Sequence, residues 1–589
     1  MNEKNDNFEV PDANDEALEQ SICEIQAEHE VNKIDDQKPI DDSEAASLIC
    51  GSLVRLGFVN FDSKSTDNAT SEAMVAAELR KHFRRDVYVG VTDAEQNLEF
   101  LGRIVEGPFH IPHEVGTDSA ITRTTVLHPD RTQFRPSYYV TGTIEILGQL
   151  ASGDRLTPTP TRPRPYSEIS IFSPERLQKF LDINGDFYLG QLMGYEKVNV
   201  LVDANNKNFL PRNIGVFGTV GSGKSNTMQV IMEEAIAAGW AVVAVDVEGE
   251  YVKMNEPTDD SRLISLLDSR FEIKPDGIKD FKVYVPHSGH TEADAATRFK
   301  VPISEIDPFV LADLMELSEA QARLLEAVLE KANNIHRPTS RTPFGNSPQT
   351  QSSHPYTLQT IIDALESKDK NLIPTGQDVS IAPLRSKLIR LGRSHMLDWN
   401  ANQATPLLPI SDLLVGGRLS VLDVSETDDR SRNIAIAYTL QSLFDRVIQT
   451  PVNGKMPNGN ERPKILVVIE EVHTFVSRSN ATKMRSVLDN LQIISRRGRK
   501  RWMSLALVSQ QPGHVPDELF ELANTRFIHQ LKSASNLTPV KQTTGGVHEA
   551  LWSTIPSLGP GQCLVTGAIF SNPLFIEVRP AKTKRMLTT

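Results

Sequence analysis

Cysteine is scarce: three in 589 residues, at Cys23, Cys50 and Cys563. They show no metal-ligand spacing and cannot all pair, which excludes a disulfide scaffold and a zinc module. With no signal-peptide pattern, a reducing, cytoplasmic compartment is expected. Long apolar runs are missing as well. None approaches the roughly 20 residues that a membrane helix needs, so no membrane partner is expected. An excess of positive charge is also absent, the formal balance being −14. Residues 1–46 hold fifteen acids and three lysines and so account for twelve of those charges. The remainder is nearly neutral. Net charge therefore leaves DNA open as a partner, because a local basic surface is what binds phosphates.

The length suggests three or four units. Residues 1–46 are acidic and almost free of aromatics, and predict a disordered tail. Residues 47–167 carry short β-like runs (SLVRLGFVNF, RDVYVGVTD, LEFLGRIVEG, YYVTGTIEILGQL) between Gly, Pro and Asp turns. They predict a small β-barrel, with ATSEAMVAAELRKHF as a helix interrupting it. The segment TPTPTRPRP, 157–165, reads as a stiff connector. Alternating buried strands and helices then fill 168–302 and 357–589, which implies an α/β core with a mostly parallel sheet covered on both faces. Between them, 303–356 reads as a helical insertion followed by a mobile loop. Ser318 and Gln321 form a capping-box pattern there.

The chemistry is clearest at residues 214–247. A short apolar strand runs into Gly218-Thr219-Val220-Gly221-Ser222-Gly223-Lys224-Ser225-Asn226, then a helix-period stretch, then a second buried strand. The glycines let backbone N–H groups turn inward around a phosphate, and the helix that follows aims its positive end at the same place. Lys224 is expected to reach the β- and γ-phosphates of ATP, and Ser225 to ligate Mg²⁺.

KILVVIEEVHTF, 464–475, supplies the second half. A central strand ends in Glu470, placed to hold the Mg²⁺ shell, and Glu471, placed to orient and deprotonate the attacking water. SLALVSQQP, 504–512, ends in Gln510, the expected sensor of the γ-phosphate. ISRRGRKRW, 494–502, concentrates arginines between these strands, and Arg496 is the first candidate for a finger supplied in trans, the alternatives being contact with DNA phosphates and a plainly solvated face. Arg526 and Arg212 are further candidates. Asp246, Glu248 and Glu250 follow the second strand, where they would support the nucleotide site, support a neighbouring subunit, or simply end the strand in solvent.

GTVGSGKSNT, DVEGEY, VVIEEVH, SRRGRK, LALVSQQP, NTRF and IPSLGPGQCLVTG occur in the order seen in the HerA family, which they resemble over roughly residues 45–580. This is the hexameric DNA translocase group related to FtsK, of RecA/FtsK-like P-loop NTPases. The resemblance implies a homohexameric ring with ATP between subunits and double-stranded DNA in the channel. It also implies an effector partner, such as a NurA-like nuclease or a sirtuin-like NADase, in DNA end processing or anti-phage defence. Carried over, Lys224 and Ser225 bind ATP·Mg²⁺, Glu471 is the catalytic carboxylate, Gln510 the sensor, and Arg496 and Arg212 match finger positions. Arg478, Lys483 and Arg485 are candidates for DNA contact. A second reading makes the ring chiefly a platform that switches an effector enzyme. A third is a protein-transport ATPase of the conjugation type.

Overall fold

The computed structural model describes residues 55–586, leaving aside 63–68, 114–119, 121–126, 128–136, 152–154, 160, 337–355, 375–377, 401–404, 475 and 480–484. The acidic tail, most of the expected mobile loop and Lys483 lie outside the described residues.

Six antiparallel strands close on themselves near the start of the described chain. Their order around the ring is Thr70–Ala76, Arg55–Val59, Glu168–Ile171, Tyr88–Asp93, Leu98–Pro112 and Tyr138–Ala151, the last pairing back to the first. Alternating inward residues, among them Val59, Val75, Val91, Phe100, Ile104, Val140 and Ile169, fill the interior. Closure removes every free edge from this ring.

Two expectations change here. The stretch 69–83 is not a helix. Its first half is the strand Thr70–Ala76, with Ser71, Ala73 and Val75 buried, and only Ala77–Leu79 coils, as a 3₁₀ turn. Pairing on both sides outweighs the helix propensity of its Ala, Glu and Met residues. In addition, the strand Glu168–Ile171 completes the ring, although it lies past the expected break at 167.

The second sheet has twelve strands. In spatial order they are Thr297–Phe299, Phe281–Pro286, Leu419–Asp423, Ala241–Asp246, Ile465–Ile469, Met503–Ser509, Ile214–Phe217, Thr525–Ile528, Gln562–Thr566, Leu574–Val578, Phe187–Leu192 and Asn199–Val202. The first eight run parallel and the rest extend the sheet antiparallel. The sequence periodicity explains why helices cover both faces. Val243, Val245, Val467 and Ile469 enter one core, whereas Val242, Ala244, Leu466 and Val468 enter the other. Successive strand residues point to opposite faces, so an unbroken apolar run requires cover on both.

Helices Pro308–Leu314 and Glu319–His336 form the insertion, and the Ser318–Gln321 pair caps the second reciprocally at 3.2 and 3.4 Å. Helices Leu358–Ser367 and Asp378–Gly392 continue the same layer beyond 356.

The barrel is tied to the large sheet through buried polar groups. Arg103, 1% exposed, reaches the Pro573 carbonyl at 3.0 Å, and the Tyr88 amide donates to the Tyr195 hydroxyl at 2.8 Å. Among the described residues, no helix is long and apolar enough to cross a membrane.

Candidate functional site

The strand Ile214–Phe217 is central, and its chain turns immediately into the helix Lys224–Ala237. That reversal needs left-handed backbone: Gly221 has φ +75° and Gly223 φ +105°. Glycine alone takes these angles without cost. Space is a second constraint at Gly223, where a Cβ would stand 2.7 Å from the Gly561 amide nitrogen.

The loop is held from below by distant chain. Both the amide and the hydroxyl of Thr219 donate to the Gln530 carbonyl, at 2.9 and 3.1 Å. Gly561 N–H donates to the Ser222 carbonyl at 2.9 Å. His529 lies beneath, sharing a 2.9 Å hydrogen bond between its Nε2 and Thr227 Oγ1. Burial, with Lys224 close by, holds the His529 imidazole far below its usual range, at about 3. It is therefore neutral.

Lys224 is 5% exposed and folds onto its own loop, donating to the Thr219 carbonyl at 3.1 Å. Burial lowers its pKa, while Glu471 and the acids behind it act in the opposite direction. A buried ammonium that holds only a carbonyl is ready to exchange it for an anion.

Those acids stand at the C-terminal ends of the neighbouring strands. Glu470 is 3% exposed: its Oε1 accepts the Tyr251 hydroxyl, and its Oε2 is buried without a hydrogen-bond partner. Burial first, then Asp246 and Glu250, raise its pKa well above the carboxylate range. Asp246 is pushed up to about 7 by burial, although its oxygens accept the amides of Gly249, Glu250 and Tyr251.

Glu471 takes a left-handed turn, φ +41°, out of the strand Ile465–Ile469. Its Oε2 accepts the Gln510 amide at 3.1 Å and lies 3.0 Å from His473 Nδ1. Gln510 donates through its side chain to Glu248 Oε1 at 3.1 Å. An open cleft of about 360 Å³ is lined by Thr219, Val220, Gln510, Gln511, Gln530 and Lys532. Lys224, Glu471 and Gln510 thus gather at one sheet edge.

A Mg²⁺ ion fits this donor set. The orphaned Oε2 of Glu470 and the hydroxyl of Ser225, at the start of the loop helix, are the ligands on offer. No group of three or more His, Cys, Asp or Glu among the described residues forms a protein-only cage. Mg²⁺ is usually held by one or two protein groups together with substrate phosphates.

The arginines lie elsewhere. Arg496 closes the helix Arg485–Gly498 and is exposed, as are Arg497, Arg499 and Lys500. They precede the strand Met503–Ser509, whose far end meets the phosphate loop, so about 20 Å of strand separates them from their own Lys224. Arg212 stands at the same far edge, before Ile214. Burial, with Arg499 nearby, lowers its pKa.

Arg526 differs from expectation. It is 5% exposed and bonds inward to the carbonyls of Ala523 and Phe520 at 2.9 and 2.8 Å, to Thr543 Oγ1 at 2.9 Å and to Thr544. Its guanidinium braces the chain around residues 520–544. Asn226 is likewise a strap, bonding the Arg579 carbonyl and the Ala581 amide, both at 2.8 Å. Arg478 is engaged with Val515 O and Asp517, and Arg485 with Asp489.

Sequence reasoning missed His529, Gln530, Lys532, Tyr251 and the contact role of Gly561. All reach the site through non-local pairing. Only the position of His529 and Gln530 after the strand Thr525–Ile528 gave a local signal.

The family model described as Helicase HerA, central domain, matches residues 187–443. The DNA double-strand break repair helicase HerA of Pyrococcus furiosus is 21% identical over 482 residues, 76% of this chain and 78% of its own. The protein of the same name from Sulfolobus acidocaldarius is 20% identical over 506 residues, 85% of this chain and 90% of its own. Among solved structures, VirB4 of Thermoanaerobacter pseudethanolicus aligns with a TM-score of 0.45 at 13% identity, covering 68% of this chain and 97% of that one.

Proposed function

We propose that this chain is a HerA-type P-loop ATPase, a reading supported by the match of residues 187–443 to the HerA central domain, and that it hydrolyses ATP to drive movement along double-stranded DNA. One observation carries the reading. The groups needed to bind and cleave a nucleotide triphosphate converge at one edge of the sheet, while the free arginines occupy the opposite edge. A single chain holds both halves and cannot join them. Copies set edge to edge in a ring, taken to be a hexamer, would place Arg496 and Arg212 of one against the cleft of the next.

In this scheme Lys224 gives up the Thr219 carbonyl for the β- and γ-phosphates. Bound Mg²⁺, on Ser225 and Glu470, would neutralise phosphate charge. Glu471 orients a water and takes its proton. Gln510 bridges Glu471, through its amide, and Glu248, through its side chain, so a change at the terminal phosphate passes to the turn after Asp246. Arginines from the neighbour offset charge that develops as the phosphoryl group leaves. DNA phosphates would contact channel-facing basic residues. An effector enzyme, nuclease or NAD-consuming, would join the ring for DNA end processing or defence against phage.

Steady-state ATP hydrolysis, with and without long double-stranded DNA, tests the reading. DNA should raise turnover several-fold, and Glu471→Gln should cut steady-state hydrolysis to a small residue in both conditions. Turnover indifferent to DNA would refute the motor and favour the platform that switches an effector.

A further inference from the structure

The turn that carries Glu471 contains a second polar side chain with no assigned role. His473 sits in the 3₁₀ turn Val472–Thr474 and is largely buried, its side chain 14% exposed. Its Nδ1 lies 3.0 Å from Glu471 Oε2 and 3.2 Å from Ser509 Oγ. Ser509 is fully buried at the end of the neighbouring strand, and its Oγ accepts the Gln511 amide at 3.1 Å. The imidazole therefore joins the strand end bearing the carboxylate to the strand end bearing the sensor.

The protonation pattern follows from donor counting. An ionised carboxylate only accepts, so Nδ1 must carry a hydrogen towards Glu471. The Gln510 amide already donates to the same Oε2 at 3.1 Å. Both fixed donors thus hold one oxygen, and Oε1 carries neither bond. This also supports a strained backbone, since Glu471 is a non-glycine residue at φ +41°. Such angles persist where surrounding contacts enforce them.

We infer that His473 is a positioning residue: with the Gln510 amide it clamps Oε2 of Glu471, so that Oε1 alone addresses the attacking water. The inference rests on the assignment of Glu471 as the catalytic carboxylate. It adds a reason for a histidine three positions after Glu470. A short, directional donor on the same turn reaches back to the carboxylate through Nδ1, the same nitrogen that lies against Ser509 Oγ.

A double-mutant cycle tests it on the full-length protein. His473→Ala should lower kcat about 10- to 100-fold, the scale of loss for a reacting group displaced by about an ångström. The Kd for a fluorescent ADP analogue should stay within about twofold. His473→Asn, which keeps an amide donor near Nδ1, should recover most of the rate. In the Glu471→Gln background, followed by single-turnover hydrolysis with enzyme in excess, adding His473→Ala should change the residual rate less than about twofold, because the group it positions is gone. Ser509→Ala is a second probe: it should lower kcat a few-fold, and only when Glu471 is present. Equal losses in both backgrounds, or weakened nucleotide binding with kcat retained, would overturn the clamp. Full activity in Glu471→Gln alone would instead refute the underlying assignment of the carboxylate.

Discussion

Arg579 offers a direct measure of how the phosphate-loop helix is held. Its side chain is 0% exposed and pairs with Glu233 at 2.9 Å and Glu234 at 2.7 Å, both on the helix Lys224–Ala237. It also bonds the carbonyls of Tyr188 and Pro580 at 3.2 and 3.0 Å. Replacing it with methionine keeps most of the volume but leaves Glu233, 2% exposed, as a buried charge without its cation. Breaking a buried pair in this way costs about 3–5 kcal/mol. The lower end applies, because Glu234 keeps 13% exposure and Glu233 keeps two bonds from Thr583. About 3 kcal/mol corresponds to a hundredfold or so in an opening equilibrium. Hydrogen exchange reads this locally, without requiring the whole chain to unfold in two states. Amides of the loop helix in Arg579→Met should lose protection about 100-fold, while those of the strand Ile465–Ile469 stay unchanged. Adding Glu233→Gln should restore at least half of the loss on a logarithmic scale. A change below about threefold in the single variant would refute the idea that this ion cluster anchors the helix.

Two further predictions concern residues near the site. His529 titrates at about 3 in the folded chain against 6.5 unfolded. As pH falls below 6.5 the unfolded chain takes up a proton that the folded chain refuses, so stability is lost progressively between 6.5 and about 3. By pH 4.5 the loss attributable to this group is about 2–3 kcal/mol, and urea unfolding at pH 7 and 4.5 should show a smaller difference in His529→Gln; an equal difference would contradict it. For the arginines, mixing Arg496→Ala with Glu471→Gln chains should restore some hydrolysis, because some interfaces regain both groups. Mixing Arg526→Ala with Glu471→Gln should restore none, and Arg526→Ala alone should destabilise by at least about 2 kcal/mol through its lost inward bonds. Rescue by Arg526→Ala would return that residue to the list of fingers.

The parts legible in the sequence are those whose signal is local. The glycine spacing at 218–223, the apolar run 465–469 ending in two glutamates, and the run 504–508 ending in Ser509 and two glutamines each state strand and edge within ten residues. The capping box at Ser318 is equally local. The parts that stayed hidden are set by partners far along the chain. Thr70–Ala76 has a helix-forming composition, yet two barrel strands claim its backbone. Arg526 reads as one more free arginine, and only the packing of residues 520–544 shows that its donors are consumed. Nothing around Arg579 announces that its two carboxylates lie near residue 234.

The same non-local pairing explains why the phosphate loop needs the end of the chain. A parallel αβ core would supply the strand, the loop and the helix by itself. Here, however, the floor beneath the loop is made by His529 and Gly561, and the helix is strapped by Asn226, Glu233 and Glu234 to residues 579–583. The Gln530 side chain, in turn, holds the carbonyls of Pro556 and Leu558 at 3.1 and 2.8 Å. The helix just before them, Glu549–Thr554, receives the barrel's Arg85 on the Ala550 carbonyl at 2.8 Å and on Ser553 Oγ at 2.7 Å. Barrel and loop therefore brace one continuous stretch of chain from opposite ends. This route, through backbone carbonyls and one glutamine, runs beside the ties that Arg103 and Tyr88 make to the Pro573 carbonyl and the Tyr195 hydroxyl.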